Sequence, residues 1–325
     1  MGKRRIRNLQ YLGFRDIAGF DTNPARLSEV EGKYGISTYD DFEIAISNFN
    51  PNIFIVCTPP DKHMDYAEIA YQLNKDCFIE ASVSDKDRIR KLAKLVDDTK
   101  LIFAPSCTML YSSGPTIIKE LILSNTIGRV LFFNYHTGQY LPDWHPWENI
   151  MDYYVSNPET GAAREIVPFE LTWLNNIFGK PKALFCVKTK LSEIEAEIDD
   201  IYSLNLLYPG RIMANINIEV LSRPRPTREL RIVGSEGEIH FSGESDCVKY
   251  IHHNMLEWKV LKLKTGTREL GYINPEEPYI NELGDFIKAV VNRDSSLFPN
   301  TLLKDFEILE ILQDLERIAV PINEF

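Results

Sequence analysis

The 325-residue sequence contains no apolar run approaching the ~20 residues of a membrane-spanning helix, which sets that class aside. It has no Cys-x-x-Cys pair. Its five cysteines (Cys57, Cys77, Cys107, Cys186, Cys247) are odd in number and scattered, a pattern of reduced thiols in a cytoplasmic protein rather than of a disulfide framework. The six histidines show no ligand spacing, and His252 and His253, adjacent in an expected strand, should point to opposite faces, so no metal site is expected. Positive charge is in deficit: a formal net charge of −11 argues against nucleic acid or an anionic membrane as partner. Repeats and low-complexity linkers are missing too, so any domain boundary should be a tight hinge.

What is present is ample core material, with 44% hydrophobic residues including 17 Phe and 15 Tyr. The length exceeds what one core comfortably fills, so two domains are expected. The segment Pro51–Ser82 organises the first. Its apolar run Ile53–Cys57 suits a strand buried on both faces, and Thr58-Pro59-Pro60 stops it by removing backbone donors. A helix from about Lys62 to Leu73 and a strand Cys77–Glu80 complete a βαβ unit. Ligands of open α/β sheets bind beyond the carboxyl ends of such strands, which places Thr58–His63 and Glu80–Ser82 on one crevice. Helices alternate with short apolar strands up to residue 105, the pattern of a doubly wound parallel sheet.

Beyond Pro105 the pattern changes. A helix near 113–124, a long strand Arg129–Tyr140 and an irregular aromatic segment 141–160 precede a helix at about 163–178. Seven β-branched or aromatic runs between 183 and 263 then read as a mostly antiparallel open sheet, and helices at 277–292 and 301–318 close the chain. The expected division is a Rossmann-like dinucleotide-binding domain, 1–105, and an α+β domain for substrate binding and dimerisation, 106–325.

The start is unusual. A dinucleotide-binding unit begins with a strand and G-x-G-x-x-G, with an acidic residue about 20 positions on. Neither strand nor motif is present, yet Gly2 opens a helix and Asp21 follows it by nineteen residues at the end of a strand. The expectation is a sequence lacking about eight to ten residues of that fingerprint.

Several stretches together resemble the Gfo/Idh/MocA family of NAD(P)-dependent sugar and polyol oxidoreductases: Gly2-Lys3-Arg4 with Asn8-Leu9, Thr58-Pro59-Pro60-Asp61-Lys62-His63 with Ala67, Glu80-Ala81-Ser82, Leu230–Gly237, and Tyr279-x-x-Glu282-Leu283-x-x-Phe286. Tyr140–Trp147 is similar to the branch acting on bacterial surface-polysaccharide sugars. The resemblance implies a cytoplasmic enzyme moving a hydride between NAD (or NADP) and a sugar or nucleotide sugar, homo-oligomeric through its C-terminal sheet. Gly2, Lys3, Arg4, Asp21, Thr58, Pro59, Pro60, His63, Glu80 and Ala81 would then face the cofactor. Lys3 and Arg4 sit in a helix's first turn, where cations oppose the dipole unless a pyrophosphate compensates. Asp21 would accept hydrogen bonds from the adenosine ribose, favouring NAD.

Two departures bear on the chemistry. Ala81 stands where the family carries a lysine beside the nicotinamide. Glu165 and Phe169 stand where its helix carries an Asp and a His on one face. Glu165 is therefore the expected proton acceptor, with His145 as an alternative, or else Glu165 pairs with Arg164. Tyr140 and Trp144 would stack on the sugar, with Arg164 and Phe169 lining its pocket. Arg223, Arg225 and Arg228 read as a solvated strand edge or a phosphate contact. The other reading of the departures is a catalytically silent relative that binds cofactor or sugar for regulation or assembly.

Overall fold

A computed structural model describes residues 1–146, 148–270, 272 and 274–320. The chain divides into two compact units. The first comprises Met1–Glu80, Asp87–Thr108 and the described residues of Gly266–Leu303; the second comprises Ala81–Lys86, Met109–Thr265 and the described residues from Lys304 onward.

In the first unit, helices α1 (Gly2–Tyr11), α2 (Pro24–Tyr34), α3 (Phe42–Phe49), α4 (His63–Gln72) and α5 (Lys86–Asp97) accompany strands β1 (Ala18–Phe20), β2 (Ser37–Tyr39), β3 (Ile53–Val56), β4 (Asp76–Ile79) and β5 (Phe103–Pro105). Every pairing is parallel, but the strands form two separate sheets, β1–β2 and β3–β4–β5. Among the described residues no strand pairs the free edge of β1 or that of β3. All four residues of β4 are buried, as a strand covered on both faces requires. One cover comes from far along the chain. Phe286 of α8 (Glu277–Asn292) and Phe298 set their rings against Phe78 at 5.5 and 6.2 Å, which is why that late segment belongs here.

Helix α1 departs from expectation. The sequence reads as burying Leu9 and Leu12, yet the buried residues are Arg4, Arg5 and Asn8. Arg5 is 1% exposed and donates to Glu80 (2.6 Å), Glu282 (2.9 Å), Ser106 Oγ (3.3 Å) and the Tyr279 carbonyl (3.4 Å). Burial alone would lower its pKa, and the charges of Glu80 and Glu282 more than reverse that. Glu282 is itself fully buried and also accepts from Ser106 Oγ, Thr108 Oγ1 and the Cys107 N–H.

The second unit is built on an eight-stranded sheet: β6 (Val130–Gly138), β7 (Lys182–Thr189), β8 (Ile201–Tyr208), β9 (Ile212–Glu219), β10 (Thr227–Gly234), β11 (Gly237–Ser242), β12 (Cys247–His252) and β13 (Lys259–Lys262), ordered β13-β12-β11-β10-β6-β9-β8-β7. All described pairs are antiparallel except β6–β9. Burial alternates along β8 and β9, so one face is covered, by α7 (Ala162–Phe178). Phe133 stacks on Phe178 at 4.4 Å and Tyr135 meets Trp173 edge-on at 5.5 Å. At roughly 1.5–3 kcal/mol per large buried side chain, this face outweighs surface ion pairs in holding α7 to the sheet. Helices α6 (Ser113–Leu123) and α9 (Leu302–Arg317) complete the elements. Among the described residues no helix is long and apolar enough to cross a membrane.

Replacing Arg5 with Met strands two buried carboxylates and is expected to cost about 3–5 kcal/mol. Lys3→Met, which breaks a pair with Glu29 whose side chains are 40% and 49% exposed, should cost under about 1 kcal/mol. Urea unfolding of both variants at neutral pH checks the contrast.

Candidate active site

In the first unit, Pro59 and Pro60 end the β3 ladder, and a short 3-10 turn over Pro60–Lys62 leads straight into α4. His63 is 2% exposed, not the half-exposed surface imidazole that its place at a helix start allows. Its Nε2 lies 2.9 Å from the Thr58 carbonyl, which accepts from it, and burial lowers its pKa and keeps it neutral. The Thr58 hydroxyl and His63 Nδ1 are buried without partners among the described residues. The start of α1 lies beside this turn, since a Cβ on Gly2 would meet Cys57 Cβ at 3.9 Å. Among the described residues no side chain caps α1, and the Arg4 N–H is taken by the Met1 carbonyl at 2.8 Å. Asp21, half-buried at the end of β1, accepts from the Asn23 N–H at 2.8 Å and keeps its other oxygen 4.0 Å from Arg26.

The two basic residues expected at this helix start have carboxylate partners. Lys3 donates to Glu29 at 2.8 Å, and Arg4 pairs with Glu276 at 3.0 Å while lying over the Tyr279 ring at 4.0 Å. The charge expected to await a phosphate is thus offset within the protein. Glu80 is held below the usual carboxylate range, since Arg5 outweighs the opposing effect of burial.

In the second unit, the aromatic segment folds as three short 3-10 turns, over Leu141–Asp143, Ile150–Asp152 and Tyr154–Ser156. Tyr154 Oη donates to Glu165 Oε1 at 2.9 Å. Glu165 Oε2 is shielded from solvent and has no partner among the described residues. Burial pushes this carboxyl up to about 7, against the hydrogen bond from Tyr154. Tyr153 Oη and Trp144 Nε1 are also buried without partners there. Burial and the nearby charges of Glu148 and Glu165 raise the Tyr153 phenol to about 12. The His145 ring stacks on Tyr153 at 4.9 Å and its Nδ1 lies 3.2 Å from Glu148. The two expected proton carriers, Glu165 and His145, are therefore joined through Tyr153 and Tyr154, whose rings meet at 5.8 Å.

Glu165 Oε2, Tyr153 Oη and Trp144 Nε1 are thus polar atoms shielded from solvent and without partners among the described residues. Residues 1–105 match a family model described as "Oxidoreductase family, NAD-binding Rossmann fold", and residues 116–240 match the GFO/IDH/MocA C-terminal domain. The chain belongs to the Gfo/Idh/MocA oxidoreductase family. An inositol 2-dehydrogenase of Rhizobium meliloti (strain 1021) is 34% identical over 119 residues, 36% of this chain and 35% of that protein, so the matched stretch spans about a third of that relative. Among solved structures of similar fold, a levoglucosan dehydrogenase in complex with NADH and levoglucosan superposes with a TM-score of 0.83 at 16% identity, covering 98% of this chain and 94% of the other. An inositol dehydrogenase homolog from Azotobacter vinelandii complexed with NAD+ gives 0.79 at 13%, covering 98% and 92%.

NAD is thus the cofactor of the matched domain, and the first unit's residues fit it. The unpaired Thr58 hydroxyl, the uncapped start of α1 at Gly2 and the Asp21 carboxylate suit hydroxyl and phosphate groups of a dinucleotide. Ala81 follows β4 as the first residue of the second unit and offers no polar side chain to such a ligand.

Other family positions need correction. Arg164 pairs with Glu316 rather than with Glu165. It forks onto Glu316 at 2.6 and 3.3 Å and donates to the Val83 and Glu159 carbonyls, so its donors are taken up in tying α7 to α9. Tyr140 has the Arg223 guanidinium over its ring at 4.2 Å, so that face is not open for sugar stacking. Arg228 is no solvated edge: it pairs at 2.6 Å with Glu170, which also accepts from Tyr135 Oη and Trp173 Nε1. Phe169 is half-buried on α7 and carries no proton. Trp147 lies outside the described residues. His252 and His253 do not point apart; β12 ends at His252, so strand alternation stops there and their rings lie 4.3 Å apart. Tyr153 and Tyr154 escaped sequence reasoning, although two adjacent tyrosines shortly before Glu165 in an aromatic segment were the available signal.

Glu165 titrates near 4.5 in the unfolded chain and near 7 when folded, so between those values only the unfolded chain releases its proton. Stability should therefore fall as pH rises through that window, by at most about 3 kcal/mol from this group. Melting temperatures of Glu165→Gln and the unsubstituted protein from pH 5 to 8 test it: the variant should gain relative stability as pH rises.

Proposed function

We propose that this chain is an NAD-dependent oxidoreductase acting on a secondary alcohol of a sugar or nucleotide sugar, with Glu165 as the proton acceptor. The observation that carries this reading is the Glu165 carboxyl, raised to about 7 with one oxygen held by Tyr154 and the other unpartnered. A base whose pKa lies near the working pH combines a useful ionised fraction with adequate proton affinity. NAD held by the first unit supplies a hydride acceptor at nicotinamide C4. Glu165 Oε2 would accept the substrate O–H proton while the carbinol carbon gives its hydride to the bound cofactor and becomes a carbonyl. Tyr154 would fix the carboxylate's orientation, and the unpartnered Tyr153 Oη and Trp144 Nε1 would serve as donors to sugar hydroxyls. His145, stacked on Tyr153 and partly exposed, would pass the proton onward to solvent.

The polyol and anhydrosugar substrates named for the relatives support a cyclic polyhydroxylated substrate. The Tyr140–Trp147 segment supports the narrower assignment to surface-polysaccharide sugars. The five free cysteines suit a reducing cytoplasm. We extend the proposal to self-association through the sheet face opposite α7, where exposed Met213 and half-buried Leu207 lie among Asn134 and Asn215. A second reading, binding without turnover, is favoured by Ala81 and Phe169, neither of which can carry a proton.

A panel of cyclic polyols, anhydrosugars and nucleotide sugars, assayed by NAD+ reduction, tests both readings. Turnover should rise with pH through about 7, and Glu165→Gln should lower kcat by about 10²–10⁴ and remove that limb while NADH affinity is kept. His145→Ala should cost less than about tenfold. Saturable NADH binding with no turnover across the panel would establish the binding-only reading instead.

A further inference from the structure

At one end of the second unit's sheet, the turn between β10 and β11 packs against the end of β12. Gly237 is the register partner of His252, and a Cβ on Gly237 would meet the Ile251 carbonyl oxygen at 2.2 Å, so only glycine permits this approach. Glu236, one residue earlier, is pinned through its backbone: its N–H donates to Ile127 at 3.0 Å and its carbonyl accepts from the His253 N–H at 2.8 Å. This brings three ligand-type side chains together. His252 Nε2 is 3.1 Å from Glu236 Oε2, and one ligand atom from each of Glu236, His252 and His253 lies within 4.8 Å of the other two.

Each histidine has an oxygen within reach of its Nδ1. His252 Nδ1 is 2.6 Å from Asn254 Oδ1, a shorter contact than the 3.4 Å to the Asn254 N–H, and His253 Nδ1 is 3.3 Å from the Glu236 carbonyl. An Nδ1–H donated to an oxygen fixes the tautomer with its lone pair on Nε2 and raises ligand basicity. Nothing in the hydride-transfer reading uses these residues.

We propose that Glu236, His252 and His253 form a binding site for a divalent transition-metal ion of the Zn2+ class. Two imidazoles and one carboxylate are the donor set such ions prefer, and three protein ligands leave a position for water. Bonds of ~2.0–2.2 Å require the donors to close in by about an ångström, which the exposed Glu236 and His253 side chains accommodate by rotation. The ion takes the place of the proton between His252 and Glu236 and clasps the two turns.

The test titrates the full chain with Zn2+ against a chromophoric chelator and with Co2+ as a visible-absorbance probe. One equivalent should bind and raise the melting temperature. His252→Gln and His253→Gln should each weaken binding by about tenfold or more. His240→Gln, a neighbour in the same sheet outside the cluster, should leave it unchanged. Failure to bind one equivalent, or equal affinity in the His252→Gln/His253→Gln double variant, overturns the proposal.

Discussion

The ion pair of Arg5 with Glu80 and Glu282 is the interaction on which the first unit depends. It gathers four segments that are remote in sequence: the start of α1, the end of β4, the residues following β5, and α8. Burying a guanidinium and two carboxylates is expensive, and geometry alone decides whether the attraction repays it. Here the pair is backed by further hydrogen bonds, including three on Glu282 from Ser106, Cys107 and Thr108. The consequence for function is position. Glu80 and the first turn of α1 are both fixed by the same guanidinium, and the Thr58 turn lies beside them.

Helix α7 shows the same physics put to two uses. Glu170 faces the sheet and takes three hydrogen bonds, from Tyr135, Trp173 and Arg228, so its charge is spent on architecture. Glu165, five residues earlier, is half-buried as a residue, yet its Oε2 is shielded from solvent; among the described residues it receives one hydrogen bond, from Tyr154, and Oε2 has no partner. A buried polar atom without a partner costs stability unless something else makes use of it. In the proposed reaction a substrate hydroxyl would be that partner.

Local patterns made much of this legible. The apolar run ending at Thr58-Pro59-Pro60, the alternating strands of the second half and the helix around Glu165 all follow from periodicity and proline chemistry, which act over a few residues. What escaped reading depends on partners far apart. Nothing near Arg5 announces that its carboxylates are 75 and 277 residues away, so the buried face of α1 was assigned to leucines. Arg164 and Arg228 likewise read as available cations because Glu316 and Glu170 are not sequence neighbours on a shared pattern. His252 and His253 were separated by an alternation rule that holds inside a strand and lapses at its end.

The account stands on one claim, that this chain moves a hydride from a polyhydroxylated alcohol to NAD+. The most direct measurement supplies an alcohol substrate bearing deuterium on its carbinol carbon and reads the isotope content of the product NADH by mass spectrometry. The account predicts one deuterium per NADH, carried at nicotinamide C4 and not exchanged with water. Unlabelled NADH, or deuterium released to solvent, would contradict it.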